Sequence, residues 1–169
     1  MVKLNAEQIE LINAHGPFNH SVWSNGETLV TNEERLAGRG QFLVNLIRKT
    51  ITERFSRNEI SKMSIVDIGC YDGWILHELS DLPFKMMVGV EPRQKNIDKG
   101  KFVRDSLGIS SKVKMICDDL KILTRQKFDI VLCIGVIHHL ESFTEAIKIL
   151  RKGTNKFIFI ETICLSSKY

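Results

Sequence analysis

The chain has 169 residues, close to the length of one ordinary domain, so we expect a single compact unit. Its composition, 43% hydrophobic and 26% charged, is typical of a globular protein and excludes a disordered or collagen-like chain. The longest apolar run, Ile130 to Ile137, is too short to cross a bilayer, since a membrane helix needs about 20 apolar residues. Polar residues interrupt the first ten positions, so we expect no secretory signal.

The four cysteines are widely spaced and include no Cys-x-x-Cys pair, which argues against a disulfide scaffold and against a zinc site. They fit a reducing cytoplasm, and we expect no bound metal. The net charge of +4 is uneven: residues 1–85 have 9 Lys and Arg against 11 Asp and Glu, whereas residues 86–169 have 15 against 9. This asymmetry suits an anionic partner such as nucleic acid, although the basic residues are dispersed among acidic ones, as on an ordinary solvated surface.

The first 55 residues are predicted to form two helices joined by a long loop. Apolar residues recur at helical spacing over residues 6–14 and again over residues 41–55. The segment 16–40 between them contains a proline and several glycines, which favour irregular structure. Long irregular segments in compact domains are usually functional. We therefore expect residues 1–55 to be a lid or substrate segment, or alternatively a surface arm that packs on the core.

Beyond residue 55 the sequence alternates between short β-branched runs and stretches of helical period. The runs lack strict polar alternation, as in strands buried on both faces of a parallel sheet. The predicted strands are Ser64–Ile68, Lys85–Val90, Val113–Cys117, Phe128–Ile134 and Lys156–Thr162. The predicted helices between them are Trp74–Ser80, Arg93–Leu107 and Ser142–Arg151. This pattern predicts an α/β fold, a Rossmann-like, doubly wound and mostly parallel sheet of about five strands with N-terminal helices.

The segment Val66–Trp74, with the sequence VDIGCYDGW, is the most informative in the chain. A strand ends at Gly69 and a helix opens near Gly73, and glycines in such a turn let a ligand approach the backbone closely. The nicotinamide version of the turn requires glycine where Tyr71 and Trp74 stand, which contradicts an NAD-dependent oxidoreductase. A phosphate-binding P-loop also fails, because no Gly-Lys-Ser/Thr is present.

Acidic residues follow the predicted strands. Asp67 and Asp72 in the turn would repel a pyrophosphate, but they suit a cationic ligand with an ammonium and a sulfonium. Glu91 ends the second strand, where a carboxylate can accept hydrogen bonds from two ribose hydroxyls. Residues 117–120 (CDDL) end the third strand with carboxylates suited to an adenine amino group, and residues 128–140 bring the fourth strand to the same cleft.

These four motifs, in this order and spacing, resemble those of the class I S-adenosylmethionine-dependent methyltransferases over roughly residues 60 to 163. The resemblance implies methyl transfer with S-adenosylmethionine as cofactor. It implies a glycine-rich turn at the methionine, an acid at the ribose, an acidic pair beside the adenine, and a fourth strand beside the methyl group. The cofactor-binding residues implied are Asp67, Gly69, Cys70, Tyr71, Asp72, Gly73, Glu91, Pro92, Asp118, Asp119, Leu120, Ile134 and Gly135.

Two adjacent histidines, His138 and His139, follow the fourth strand near the predicted transfer site. Histidine is the side chain best matched to proton transfer near neutral pH, so we predict one of them as a general base if the acceptor must lose a proton. Alternatively, they cap a helix and line the pocket. The glycine turn, the Gly-Val-Glu-Pro at 89–92 and the stretch at 20–26 resemble the tRNA wobble-uridine carboxymethyltransferases. The acceptor stays open between a small molecule and tRNA.

The fifth predicted strand is followed by only seven residues, whereas class I sheets usually have seven strands. We therefore expect residues 56–169 to form the cofactor-binding core without the last two strands. The exposed apolar edge at residues 157–160 predicts self-association or a missing C-terminal portion. The alternative function is a cofactor-binding module of a larger assembly that is inactive alone.

Overall fold

The computed structural model describes residues 34–164 continuously, with residues 6, 7 and 10 and the short strands β1 (Trp23–Ser24) and β2 (Glu27–Thr28) before them. Residues 6, 7 and 10 are helical, and the rest of the predicted helix at 6–14 lies outside the described residues. β1 and β2 pair antiparallel. Most of the stretch at 20–26 also lies outside the described residues.

Helix α1 (Glu34–Arg54) is longer than the sequence predicts. It begins at residue 34 rather than 41, so the prediction of an irregular segment up to residue 40 was wrong at its end. Gly40 lies within the helix and faces a close neighbour: a Cβ at this position would lie 2.6 Å from the ring of Trp74. Glycine thus lets α1 pack directly on that ring. Further along the helix, Val44, Ile47 and Ile51 are buried.

After α1, strands and helices alternate as the sequence predicts. The elements are α2 (Arg57–Ile60), β3 (Ser64–Ile68), α3 (Trp74–Glu78), β4 (Met86–Glu91), α4 (Gln94–Ser106), β5 (Val113–Cys117), α5 (Ile122–Arg125), β6 (Phe128–Ile134), a 3-10 turn (Ile137–His139), α6 (Phe143–Gly153) and β7 (Thr154–Glu161). The predicted bounds of β3, β5 and β6 are confirmed, and β4 and β7 are shifted by one or two residues. The short helices α2 and α5 were not predicted.

The five longer strands form one parallel sheet in the order β5-β4-β3-β6-β7. The strand order reverses at β3, so the crevice beside the carboxyl ends of β3 and β6 is the switch point where ligands bind in doubly wound sheets. The register pairs Asp67 with Gly89 on β4 and with Leu132 on β6. The α/β, Rossmann-like fold with a five-stranded sheet is thereby confirmed.

Both faces of the sheet are covered by helices, which explains the continuous apolar runs of its strands. On one face, Ile65 and Ile130 pack in a buried cluster with residues of α1, α3 and α4. On the other face, Val66 and Val131 pack with residues of α5 and α6. Neighbouring residues of one strand thus enter opposite halves of the core. Among the helices of the described part of the chain, none is both long enough and apolar enough to span a membrane.

Strand β7 lies at the edge of the sheet. It pairs with β6, and within residues 34–164 no strand pairs with its other side. Phe157 packs edge-on against Phe55, with ring centroids 5.8 Å apart, whereas Ile160 is 43% exposed. The edge is therefore covered in part, and the self-association predicted from it stays a prediction.

Candidate active site

A cavity of about 680 Å³ opens at the carboxyl ends of the central strands. Its wall combines the turn after β3, the residues after β4, the loop after β6 and part of α1. The volume lies within the range of roughly 300–1,000 Å³ that is usual for small-molecule sites. The predicted site residues in its wall are Asp67, Gly69, Cys70, Tyr71, Glu91, Pro92, Ile134, Gly135 and His139.

The turn after β3 reverses the chain sharply through three residues with positive φ. These are Gly69 at 72°, Tyr71 at 54° and Gly73 at 79°. A Cβ at Gly69 would overlap Cγ2 of Val136, so this position needs glycine for both its backbone conformation and its close contact. Tyr71 is not a glycine, yet its backbone adopts a left-handed conformation that is uncommon outside glycine.

Two buried carboxylates lie beneath this turn. Asp67 is 2% exposed and Glu91 is 1% exposed. Burial, together with repulsion from the Glu91 charge, raises the pKa of Asp67 to about 8. Burial is the larger of the two causes, and the charge of Glu91 adds to it. A cationic ligand in the cavity would favour the ionised form of Asp67 and so lower its pKa again.

Glu91 is held by a network that leaves room for a ligand. Its Oε1 accepts hydrogen bonds from Arg93 Nε and from Asn96 Nδ2, the latter at 3.1 Å. Its Oε2 accepts one from the Tyr71 backbone N–H at 3.3 Å. A carboxylate oxygen has two lone pairs, so Oε2 can also accept a bond from a ligand hydroxyl. Arg93 lies 5.3 Å above the Tyr71 ring and lines the cavity.

The remaining predicted cofactor residues do not line the cavity. Asp72 and Gly73 are buried within the turn, and Leu120 is buried in the core. Asp118 pairs with Arg125 and accepts a hydrogen bond from the next backbone N–H at 2.8 Å. Asp119 accepts one from the Lys121 backbone N–H at 2.7 Å. Both acids therefore have partners within residues 119–125, and their roles at an adenine stay predictions.

The rings of the two histidines contact each other, with centroids 4.1 Å apart, but only one of them lines the cavity. His139 lines the cavity, and its backbone N–H donates to Val136 O at 2.9 Å in the 3-10 turn after β6. His138 does not line the cavity, and its Nδ1 lies 3.4 Å from Thr162 Oγ1. The turn thus directs only His139 toward the cavity. Of the two predicted bases, His139 is the better placed.

The wall also includes eight residues outside the predicted site set, although two of them lie within the stretch 128–140 that was expected at the cleft. The residues are Arg39, Gly40 and Leu43 from α1, Trp74 and Ile75 from α3, and Arg93, Val136 and Leu140 near strand ends. Arg39 forms an ion pair with Glu161 at the end of β7, which fixes α1 to the carboxyl edge of the sheet. The α1 residues are distant in sequence from every motif, so they give no signal. Arg93 could have been suspected, since it follows Glu91 by two positions.

A family model described as "Methyltransferase domain" matches residues 40–169, so the chain belongs to this family. The match and the fold together confirm the predicted class, the class I S-adenosylmethionine-dependent methyltransferases, and its cofactor.

One relative in sequence is a tRNA U34 carboxymethyltransferase of Campylobacter jejuni, 26% identical over 114 residues. The alignment covers 66% of this chain and 39% of that relative, so the chain spans about two fifths of its length. A similar structure, EvdMO1, has a TM-score of 0.71 at 18% identity, covering 92% of this chain and 34% of that one. Its N-terminal domain with SAH bound has a TM-score of 0.67, also at 18% identity, covering 90% of this chain and 62% of that one.

The raised pKa of Asp67 predicts how stability depends on pH. Its ordinary value is 3.8, so between this value and about 8 the folded chain binds a proton that the unfolded chain has lost. The free energy of unfolding should therefore fall as the pH rises through this range, and Asp67→Asn should flatten that fall. Urea unfolding of both proteins across this pH range measures the difference. Parallel profiles would show that Asp67 does not retain its proton.

Proposed function

We propose that this chain binds S-adenosylmethionine in the cavity and transfers its methyl group to a nucleophile. The observation that carries the proposal is the buried carboxylate of Glu91 at the end of β4, beside the glycine turn at the switch point. The residues fit the cofactor's chemistry. The Glu91 carboxylate offers its charge to a ligand with an ammonium and a sulfonium, such a ligand would also favour ionisation of Asp67, and Glu91 Oε2 can accept a bond from a ribose hydroxyl.

The chain's own residues would divide the binding as follows. Glu91 accepts hydrogen bonds from the ribose, while Gly69 and Cys70 let the methionine part approach the backbone of the turn. Pro92 borders the adenine side. Ile134 and Gly135, at the end of β6, border the methyl group. When bound, the cofactor supplies an electrophilic methyl on a cationic sulfur.

The acceptor would reach the methyl group between α1 and the loop after β6. Arg39 and Leu43 from α1 line the cavity, as do Val136 and Leu140 after β6. This placement supports the idea that the N-terminal segment shapes the acceptor side. Methyl transfer is an in-line displacement, so the main task of these residues is to position the acceptor. His139 would remove its proton where one must leave.

We propose tRNA as the acceptor to test first. The matched relatives are named for a modification of uridine 34 of tRNA, and they cover 66% of this chain. Incubation of the protein with S-adenosylmethionine and unmodified tRNA, followed by mass spectrometry of the nucleosides, tests this acceptor. A new methylated nucleoside would support it. Cofactor binding without transfer to tRNA or to a small-molecule panel would instead support a binding module.

Replacing Glu91 by alanine should weaken S-adenosylmethionine binding by about 1–3 kcal/mol, the usual cost of losing hydrogen bonds to a charged, buried group. Titration calorimetry measures the change. Glu53→Ala removes an exposed glutamate of α1 that does not line the cavity, so it is a matched control that should bind normally. Normal affinity in a folded Glu91→Ala protein would remove Glu91 from the binding site.

Replacing His139 by alanine should lower turnover about 100-fold or more while cofactor affinity is preserved, because a general base contributes at least this much. His138→Ala is the matched neighbour and should lose far less, since His138 does not line the cavity. Single-turnover assays with the identified acceptor measure both. Equal, small losses at the two positions would show that neither histidine is the base.

A further inference from the structure

A lysine precedes every strand of the main sheet. Three of these lysines come directly before β4, β5 and β6, and the others come two positions before β3 and β7. They are Lys85, Lys112, Lys127, Lys62 and Lys152, and all five are exposed. Because the strands are parallel, their amino ends lie along one edge of the sheet. The five lysines therefore form a row at that edge, which we call the lysine row.

The strand order places the lysine row in space. From one side of the sheet to the other it runs Lys112, Lys85, Lys62, Lys127 and Lys152. Neighbouring strands lie about 4.8 Å apart, so the backbone positions span about 19 Å. A second cavity, of about 400 Å³, opens at this edge. Lys62, Lys85 and Lys112 line it, together with Lys114 from β5.

Few acidic groups offset this charge. Asp129 also lines the second cavity, but its carboxylate accepts hydrogen bonds from the backbone N–H of Ser64 at 2.9 Å and from the Ser64 hydroxyl at 3.1 Å. Glu59 lies near Lys62 and caps the start of α2 with Ser56. The cavity thus has four lysines against one engaged aspartate, and one of the lysines, Lys112, donates to Ser80 O at 3.0 Å.

We propose that the lysine row binds the phosphodiester backbone of a nucleic acid. Lysine recognises phosphate as a flexible point charge, without the fixed geometry that a single enclosed anion requires. A duplex strand carries one phosphate about every 3.4 Å of its axis, so a row about 19 Å long meets several of them. The surface lies at the far end of the strands from the candidate active site, and the inference does not depend on the proposed methyl transfer.

A membrane surface fits the same edge less well. Basic membrane-binding surfaces usually combine lysines with exposed apolar side chains that enter the lipid. Within the described part of the chain, the exposed large hydrophobic residues are Phe42, Leu46, Phe143, Ile160 and Ile163. None of them lies at the amino end of a strand. The lysine row is thus a charged edge without an apolar anchor, as expected for contact with phosphates in water.

The test measures binding of fluorescent tRNA and of fluorescent duplex DNA to the full chain across a range of salt concentrations. The triple variant Lys62→Gln, Lys85→Gln, Lys127→Gln removes three charges from the lysine row. Its affinity for nucleic acid should fall about tenfold or more at low salt. The slope of log K against log salt, which is negative, should become shallower by about 2 to 3. The matched control, Lys49→Gln, Lys95→Gln, Lys148→Gln, has the same net charge and should keep both values close to wild type.

The two probes distinguish the sources of the phosphate backbone: stronger binding of tRNA assigns the surface to RNA, and stronger binding of the duplex assigns it to DNA. An equal loss in both triple variants would overturn the proposal, because only net charge would then matter. Tighter binding to phosphatidylserine vesicles than to either nucleic acid would overturn it as well. Calorimetry with S-adenosylmethionine on the same variants should show normal affinity, which separates this result from failure of the proposed function.

Discussion

The structure depends on burying two carboxylates, Asp67 and Glu91, near each other at the carboxyl ends of adjacent strands. Isolated buried charges are costly, so each needs either a proton or partners. Asp67 keeps a proton, since burial and the Glu91 charge raise its pKa to about 8. Glu91 instead receives hydrogen bonds from Arg93 and Asn96. The site thus holds one carboxyl that a cationic cofactor would ionise, and one paired carboxylate whose Oε2 can still accept a bond from a ligand hydroxyl.

The turn after β3 serves the same arrangement. The Gly69 backbone N–H donates a hydrogen bond to Val90 O, with the nitrogen and oxygen 2.7 Å apart. This bond ties the turn to β4 and holds Glu91 beneath it. Its positive φ and its contact with Val136 also bring the loop after β6 against the turn. Tyr71 completes the turn in a strained conformation, and its backbone N–H donates to Glu91. One short segment therefore connects three strand ends around the cavity.

The sequence allowed the sheet and the central motifs to be predicted, because hydrophobic pattern and turn glycines are local signals. β3, β5 and β6 needed no correction for this reason. The start of α1 was wrong, since glycines normally end helices and the contact of Gly40 with Trp74 cannot be seen in sequence. Arg39 was missed because its place in the wall depends on tertiary packing. The 3-10 turn at Ile137–His139 decides that His139 and not His138 lines the cavity.

Titration calorimetry of S-adenosylmethionine binding, in buffers with different heats of ionisation, tests the central claim most directly. At about pH 7 free Asp67 holds a proton, and a bound cation should lower its pKa, so binding should release up to one proton. S-adenosylhomocysteine lacks the sulfonium charge and should release less, and Asp67→Asn should abolish the difference between the two ligands. Binding with no proton release, identical in the wild type and in Asp67→Asn, would contradict the account.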